Sequence, residues 1–414
     1  MKKSVAIVLA LILLMSVFPG IAESNEPVTI TFSYWRLGSN PQGPMMEEIV
    51  KKFEEKYPQI HVELDSTSQT EIANQLMIQS MGGETFDVVI MPFQQIGRFV
   101  EMGVVEPLDT YFAEDPEFAG SFYDFLIDMG RYGESIYALP QDIAMNVLLY
   151  NKQLFEKAGI SEVPMSYDEF IDDCVKLTDK ENGIAGFGLA LANSTGNQAR
   201  LMSYYWASGT YLINDDGDMQ MTSEAGLKTM DRILEMINLG VTTDAPLELG
   251  YSGLLNMFTN ANVAMMQGNI GSITSALAVD PDLQIGVAPL HWEEDGYSVE
   301  SAMAFMTSNC EHKEAAWTFM KYLLSKETLA EWCIPLNYLP PSPAVAEMEE
   351  VKGNEYTQAY LSIIDGATMI PRLTENDAIF EIVYREIQQI VQGNVSARDG
   401  SVNAEKDVYA LLGK

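Results

Sequence analysis

Strand-like and helix-like segments alternate from residue 28 to residue 103, and this alternation constrains the fold more than any other feature. Residues 28–35 are rich in β-branched and aromatic side chains, which predicts a strand. Apolar residues then recur at helical spacing from Met46 to Tyr57, and Pro58 ends the helix. Because strands that alternate with helices form βαβ units, this region predicts a mostly parallel sheet. The same signals predict strands at 60–64 and 86–91 and helices near 72–82 and 96–103.

The rest of the chain mixes shorter strands with helices and ends in helices. Residues 136–150 predict two extended pieces around Pro140-Gln141-Asp142, and Asp216-Gly217 is typical of a hairpin turn. Further strands are predicted at 184–190, 262–266, 284–288 and 299–307, and helices at 151–158, 167–179, 223–239, 252–260, 312–324, 326–332, 344–351, 355–364, 375–391 and 399–413.

The first 22 residues have the pattern of a secretory signal peptide. Lys2 and Lys3 precede an apolar run from Val5 to Phe18, and small residues precede the predicted cleavage site after Ala22. The run is shorter than the roughly 20 apolar residues that cross a bilayer. No cysteine lies at the cleavage site, so the sequence predicts no lipid anchor. We expect a secreted, extracytoplasmic protein, in the periplasm or at the cell exterior.

Composition limits the partners of this chain. It has 24 basic and 59 acidic side chains in 414 residues, a formal net charge of −35. Such a surface repels the phosphates of nucleic acids and the head groups of anionic lipids, so we expect no nucleic-acid partner. The hydrophobic fraction of 47% is too high for a disordered acidic chain. The length corresponds to roughly two domains, at about 150 residues per domain.

No sequence motif predicts a metal site, a cofactor or a catalytic nucleophile. The three histidines lack the spacing of metal ligands, and the loop around Asp216-Gly217 lacks the terminal carboxylates of a calcium loop. GxSxG, P-loop and GxGxxG motifs do not occur. Cys174, Cys310 and Cys333 are far apart and predict buried free thiols. A glycosidase needs only two carboxylates, so that class stays open among 59 acidic residues.

Aromatic and polar side chains follow several predicted strands, where ligands of open α/β sheets usually lie. An aromatic ring can stack on the C–H face of a sugar, while amides and carboxylates bind its hydroxyls. A ferric site built on Tyr204-Tyr205 is disfavoured because neighbours on a helix face different directions, one to the core and one to solvent. The residues at or after the ends of predicted strands are Trp35, Arg36, Gly38, Ser39, Asn40, Gln94, Gln95, Gln141, Asp142 and Asn269.

Several segments occur in an order that carries a family resemblance. They are Phe86–Ile90 with Gly103–Leu108, Ile136–Pro140 with Leu149–Phe155, Tyr167–Phe170, Asn262–Gly268 and Glu314–Met320. In this order they resemble the extracellular solute-binding proteins of carbohydrate ABC importers (family 1, the maltose-binding-protein type).

This resemblance implies a two-lobed α/β fold of the periplasmic-binding-protein type, class II. Each lobe would be a mostly parallel sheet flanked by helices, and several chain segments would form the hinge. The lobes would be woven from separate parts of the chain. We expect 23–141 and 290–335 in lobe 1, and 142–289 and 336–414 in lobe 2.

The resemblance also implies a set of site residues. The loop from Trp35 to Asn40 matches a ligand-contacting loop, and Phe380 falls where some relatives place a stacking tryptophan. Ile270 stands where relatives usually carry an aromatic residue, which leaves the sugar class open. If Arg36, Arg200 and Arg372 converged, they would bind the carboxylate of a uronide; the alternative is ordinary exposed ion pairs. The expected ligand-binding residues are Trp35, Arg36, Ser39, Asn40, Gln94, Gln141, Asp142, Tyr204, Gly268, Asn269, Trp292, Arg372 and Phe380.

The implied function is non-enzymatic solute capture. A monomer without a cofactor would bind a mono- or oligosaccharide between its lobes, close around it, and deliver it to the permease of an ABC importer. Closure follows when the ligand binds the closed state more tightly than the open one. The open alternatives are a binder of a polyamine, iron or a peptide, a secreted glycosidase, and a protein that presents its ligand to a sensor.

Overall fold

The computed structural model describes residues 27–39, 41–68, 71–83, 85–373 and 375–414. The predicted signal peptide and Asn40 lie outside the described residues. The strands are β1 (Val28–Tyr34), β2 (Ile60–Asp65), β3 (Val88–Pro92), β4 (Arg131–Tyr132), β5 (Ser135–Ile136), β6 (Leu139–Asn151), β7 (Ala185–Gly188), β8 (Val263–Gly268), β9 (Ile285–Ala288), β10 (Ser298–Met306) and β11 (Thr368–Met369).

Helices surround these strands, and short 3₁₀ turns follow β1 at Trp35–Gly38 and β3 at Phe93–Gln95. The helices are α1 (Gln42–Lys56), α2 (Ile72–Gly82), α3 (Ile96–Glu101), α4 (Asp109–Glu114), α5 (Pro116–Ala119), α6 (Asp124–Met129), α7 (Lys152–Ala158), α8 (Tyr167–Leu177), α9 (Thr195–Ala207), α10 (Glu224–Leu239), α11 (Tyr251–Thr259), α12 (Ile270–Val279), α13 (Lys313–Leu323), α14 (Lys326–Leu336), α15 (Pro343–Ala346), α16 (Glu349–Lys352), α17 (Glu355–Leu361), α18 (Asn376–Val391) and α19 (Ala397–Leu411). None of these helices is long and apolar enough to cross a membrane.

The sheet has the strand order β2-β1-β3-β10-β6-β8-β7, with β11 beside β10 and β9 beside β6. Pairing is parallel in the first lobe, where β1 lies between β2 and β3, and in the second lobe, where β7 pairs with β8. The strands β6 and β10 pair antiparallel with their neighbours β3, β8 and β9 and with each other. The predicted two-lobed α/β fold is confirmed, with β6 and β10 as the strands that join the lobes.

β6 passes from one lobe to the other without interruption. Residues 139–146 pair with β10, and residues 147–151 pair with β8 and β9. The sequence predicts two extended pieces here, because Pro140 lacks the N–H that a sheet strand donates. The strand continues because Asp142 pairs with Ala302 and Pro140 with Met303, which leaves Gln141 as a β-bulge.

Two hydrophobic clusters cover the faces of the first-lobe sheet. In one, Phe32 of β1 contacts Phe319 of α13, which in turn contacts Phe53 of α1. The other begins at α2 and continues past β6 into the second lobe, where Phe170 and Phe187 are fully buried. The buried core is therefore continuous across the hinge strands.

Chain segments that are far apart in the sequence share one hydrophobic cluster. α13 and α14 belong to the first-lobe cluster, whereas α19 packs against α10 and α18 in the second lobe. Val345 and Val351 also join the first-lobe cluster, and β6 pairs with β10 as far as Asn146. We propose that first-lobe packing extends beyond the expected boundaries at 141 and 335.

The structure contains two long helices that the sequence patterns do not predict. The residues of α9 from Asn197 to Ala207 are all buried, so this stretch has no exposed face that would give an amphipathic period. α12 contains Gly271 and Ser272 in its first turn, and both residues weaken the helix signal. Tyr204 and Tyr205 of α9 are both buried, so the expectation that one of them faces solvent is wrong.

Candidate functional site

A cleft of about 1040 Å³ lies between the two lobes, beside β6 and β10. Its first-lobe wall comes from the turns after β1 and β3, and its second-lobe wall comes from α9 and from residues 370–378. The carboxyl ends of the parallel strands β1 and β3 thus face the cleft, as in other open α/β sheets. Its polar and aromatic lining consists of Trp35, Tyr132, Gln94, Gln95, Gln198, Asn376, Ser301, Arg36, Arg98, Arg372, Glu101, Asp142, Asp215, Glu300, Glu375 and Asp377.

Arg36 lies at the first-lobe wall, where a carboxylate and aromatic rings hold its guanidinium. Nη1 forms an ion pair with Asp142, and the guanidinium carbon lies 4.8 Å from the ring centre of Trp35 and 4.9 Å from that of Tyr338. Burial alone would lower the pKa of Arg36, but the carboxylate of Asp142 raises it above its ordinary value. We call Arg36, Trp35, Tyr338 and Asp142 the Arg36 cluster. Its charge is neutralised internally, while the Trp35 ring remains partly exposed to the cleft.

Glu300 of β10 places a second carboxylate on the cleft. Asn146 Nδ2 donates to its Oε1 at 3.1 Å, and Gln94 Nε2 donates to its Oε2 at 3.1 Å. Burial raises the pKa of Glu300, and these two hydrogen bonds and the charge of Arg200 oppose that rise. A carboxylate offers about four lone-pair positions, so Glu300 can still accept hydrogen bonds from a ligand.

Arg372 connects the second lobe to the β4–β5 hairpin of the first. Its guanidinium carbon lies 4.9 Å from the ring centre of Tyr132, and its Nη1 donates to the carbonyl oxygen of Arg131. Its Nη2 also lies 4.0 Å from Oδ2 of Asp215. Burial raises the pKa of Tyr132 to about 12, so its hydroxyl stays protonated at neutral pH. This side of the cleft presents a neutral aromatic surface and an arginine that is already engaged.

Hydrogen bonding is incomplete around the turn after β3. Within the described residues, Oε1 of Gln94, Oε1 of Gln95 and Nε of Arg98 are buried without a hydrogen-bond partner. Buried polar atoms are nearly always paired in proteins. This turn is therefore the part of the cleft wall with unused hydrogen-bonding capacity.

The cleft brings together part of the predicted site. Trp35, Arg36, Gln94, Asp142 and Arg372 all line it. They come from the turns after β1 and β3, from β6 and from the segment before α18, so the prediction from strand ends located this wall. Their contact with a ligand remains a prediction.

Three predicted residues do not line the cleft, and each has a structural role in the backbone instead. Gln141 is buried at the bulge of β6, next to Asp142 but absent from the cleft lining. Gly268 ends β8 at a position with little room for a side chain, since a Cβ there would meet Leu149 Cδ1 at 2.6 Å. Asn269 caps α12 by accepting from the backbone N–H of Ser272 at 3.0 Å, as the first member of a capping box.

Three predicted aromatic residues lie in the core of the second lobe instead. Tyr204 and Trp292 stack on each other with their ring centres 5.8 Å apart, and both are buried. Phe380 of α18 is fully buried and packs near Tyr384. Ser39 is exposed beside the cleft without lining it, and Asn40 lies outside the described residues.

Trp292 belongs to a second arginine cluster, away from the cleft. The guanidinium carbon of Arg232 lies 4.1 Å from the ring centre of Tyr167 and 5.2 Å from that of Trp292. Both Nη atoms of Arg232 pair with the carboxylate of Glu293. We call these four residues the Arg232 cluster; they line a separate surface pocket of about 830 Å³.

The three arginines that suggested a uronide do not converge. Arg36 is paired with Asp142, and Arg372 is bonded to a carbonyl oxygen. Arg200 is buried in α9, where it bonds to Asn146 and to the carbonyl of Gln267. These three arginines therefore do not form a shared pocket for a carboxylate ligand.

Sequence reasoning missed several residues of the lining. Glu300 had a usable signal, because it is the only charged residue in the apolar strand from Ser298 to Met306. Tyr132 lies in a two-residue strand that no pattern predicts. Gln198 and Asn376 lie near the starts of α9 and α18, where their hydrogen bond at 3.0 Å depends on the tertiary fold.

The comparisons with known proteins agree with this geometry. A maltotriose-binding protein of Pyrococcus abyssi is 23% identical over 345 residues, which cover 80% of this chain and 71% of the relative. A protein of Brucella abortus described as a binding protein is 27% identical over 359 residues, 85% of each chain.

Solved structures share the fold. An ABC transporter solute-binding protein of Thermotoga lettingae, bound to α-D-tagatose, has a TM-score of 0.80 and 22% identity over 94% of this chain and 100% of its own. The sugar-binding protein MalE of Xanthomonas citri has a TM-score of 0.82 and 18% identity over 93% and 98% of the two chains.

The family model for bacterial extracellular solute-binding proteins matches residues 38–330, most of the chain. This match confirms the family resemblance that the sequence segments carried. The chain therefore belongs to the family of bacterial extracellular solute-binding proteins.

Proposed function

We propose that this protein captures a neutral mono- or oligosaccharide in the cleft between its lobes and delivers it to the permease of an ABC importer. The observation that carries the proposal is the cleft lining, which combines the partly exposed rings of Trp35 and Tyr132 with amides and carboxylates. Rings of this kind pack against the C–H face of a sugar, and the oxygen-rich groups accept bonds from its hydroxyls. The relative named as a maltotriose-binding protein and the solute-binding protein solved with bound tagatose support the same ligand class.

The charges of the cleft favour a ligand without a carboxylate. Six acidic residues and three arginines line it, and two of the arginines are already bound to protein oxygens. An anionic sugar would face carboxylates whose combined charge outweighs that of the arginines in the lining. The volume, about 1040 Å³, exceeds the usual range of roughly 300–1,000 Å³ for ligand pockets, which leaves room for more than one sugar ring.

The mechanism is closure of the lobes about β6 and β10. The ligand would contact Trp35 and Gln94 on one lobe and Asn376 on the other, so its full set of contacts exists only in the closed state. Such a ligand shifts the open–closed equilibrium by its differential affinity. We propose that the closed shape, rather than chemistry on the sugar, is what the permease recognises.

A second candidate is a polyamine, and the surplus of carboxylates in the cleft lining is what favours it. A polyamine would need these carboxylates free of internal partners. Asp142 is paired with Arg36, and Glu300 already accepts two amide hydrogen bonds, which favours the sugar.

A thermal-shift screen separates these candidates, because a ligand that binds only the native state raises Tm. The panel contains tagatose, maltose, maltotriose, maltotetraose, galacturonate, spermidine and ferric citrate. We expect a neutral sugar to raise Tm in the wild type and to have a smaller effect in W35A. A shift with spermidine or ferric citrate alone would refute the sugar proposal, and release of shorter sugars at enzymatic rates would refute a transport role.

A further inference from the structure

A chain of hydrogen bonds connects the second lobe to the carboxylate of Glu300 on the cleft. Arg200 Nη2 of α9 donates to Oδ1 of Asn146 at 2.9 Å, and Asn146 Nδ2 donates to Oε1 of Glu300 at 3.1 Å. The same Nδ2 lies 3.1 Å from Oγ of Ser298. Arg200 does not line the cleft, so it reaches the ligand site through Asn146.

Arg200 is itself fixed in place. Its Nε donates to the carbonyl oxygen of Gln267 in β8 at 3.2 Å, and its guanidinium carbon lies 3.7 Å from the ring centre of Tyr251. The residue is only 5% exposed. A side chain held on two sides cannot follow movements of Asn146, so Asn146 must conform to Arg200.

The two ends of the Asn146 amide are chemically different, and Arg200 decides which end faces Glu300. A guanidinium only donates hydrogen bonds, so it selects the oxygen of the amide. The NH₂ group must then point to the carboxylate of Glu300. Without Arg200 the amide oxygen loses its donor, and Glu300 and Ser298 hold the NH₂ group without support at the oxygen end.

We propose that Arg200 is a positioning residue, which acts through Asn146 to hold the Glu300 carboxylate in the orientation that accepts ligand hydroxyls. The inference rests on the proposed function, since it assumes that Glu300 contacts the captured solute. Gln94 of the first lobe fixes the other carboxylate oxygen. Glu300 is thus held from both lobes at once.

Charge supports the same arrangement. Burial raises the pKa of Glu300, while Gln94 from the turn after β3, Arg200 from α9 and Asn146 from β6 each oppose the rise. Arg200 is the positive charge among these groups. It therefore favours the ionised carboxylate, which is the better acceptor.

A double-mutant cycle tests the proposal, with maltotriose as the probe and calorimetry as the readout. We expect R200Q to weaken binding about tenfold in the wild-type background, and less than about twofold when E300Q is already present, because residues of one hydrogen-bond network are non-additive. Equal losses in both backgrounds would mean that Arg200 acts on the fold in general, and would overturn the proposal. R232Q is the matched control, since it removes another buried arginine of the second lobe away from the cleft.

A second variant protects the test against poor folding of R200Q. N146L removes the relay but leaves Arg200 on Tyr251 and on the carbonyl of Gln267. We expect the same loss of affinity as for R200Q. Wild-type affinity in N146L would contradict the proposal.

A measurement without ligand separates this inference from the proposed function. Carbon-13 NMR titration of the Glu300 carboxyl in the ligand-free protein should show a higher pKa in R200Q, because the opposing charge of Arg200 is lost, and an unchanged pKa in R232Q. An unchanged pKa in R200Q would overturn the positioning role. Failure of the wild type to bind any sugar would refute the proposed function. The titration would then still decide whether Arg200 acts on the Glu300 carboxylate.

Discussion

The Arg36 cluster and the Arg232 cluster both combine an arginine, aromatic rings and a carboxylate. They differ in which of these side chains is exposed to solvent. Each holds an arginine between two aromatic rings and against a carboxylate. In the Arg36 cluster the Asp142 side chain is 3% exposed, and the Trp35 ring reaches the cleft. In the Arg232 cluster Trp292 is buried, and the Glu293 side chain is 38% exposed. An exposed ring can stack on a ligand, whereas a buried ring contributes to stability.

The largest expected difference concerns the carboxylates. D142A leaves Arg36 without its buried partner, and breaking such a pair costs about 3–5 kcal/mol in the free energy of unfolding. E293A should cost clearly less, because solvent already screens Glu293 and can replace it. Urea denaturation of the two variants measures both values. An equal or larger loss in E293A would remove the distinction between the clusters.

The two tryptophans should behave in opposite ways. W292A removes a buried ring and should cost about 3–5 kcal/mol of stability, with sugar affinity unchanged. W35A should lower sugar affinity about tenfold to a hundredfold, with a small loss of stability. Calorimetric titration and thermal melting of both variants provide the comparison. Loss of sugar affinity in W292A with normal affinity in W35A would place the binding site at the Arg232 cluster and contradict the proposal.

Acid should affect the Arg232 cluster in a defined range. Hydrogen bonds from Arg232, with those from Lys228, lower the pKa of Glu293 from 4.5 to about 2. A depressed folded-state pKa contributes stability above the unfolded value of 4.5, and this contribution is lost as the pH falls from 4.5 through 2. Melting temperatures across this range should fall less steeply in E293Q than in the wild type. Identical slopes would show that Glu293 is not the group responsible.

The smallest expected effect concerns Asn269, which the family resemblance assigns to the ligand and the structure assigns to the cap of α12. N269A should cost about 1 kcal/mol of stability through loss of the cap. Sugar affinity should stay within about twofold of the wild type. N269S is the control, because serine also caps helices well. A loss of sugar affinity in both variants would show that Asn269 contacts the ligand.

The sequence predicted the fold well because its signals are local. The spacing of apolar residues in α1, and the β-branched run of β1, do not depend on distant parts of the chain. The helix α9 was not predicted because its residues are buried on every side, which removes the amphipathic period. The sequence predicted two strands where the structure has the single strand β6, because the bulge at Gln141 that accommodates Pro140 has no sequence signal.

The sequence predicted mainly the first-lobe wall of the cleft, which is formed by the turns that follow strands. Trp35 and Gln94 follow strand ends, where ligands of parallel sheets lie, and both line the cleft; their contact with a ligand remains a prediction. Trp292 and Phe380 were predicted to contact the ligand but are buried in the second lobe. The sequence does not show which aromatic side chains the rest of the fold covers and which ones it leaves exposed to the cleft. Arg200 illustrates the same limit in reverse, since its connection to Glu300 through Asn146 exists only after β6, β10 and α9 come together.

A crystal structure with the sugar that raises Tm most would test the central claim most directly. The account predicts a sugar ring packed on Trp35, hydroxyls within hydrogen-bonding distance of Glu300 and Gln94, and an Arg232 cluster that is unchanged. Sugar density at the Arg232 cluster, with an empty cleft, would contradict it.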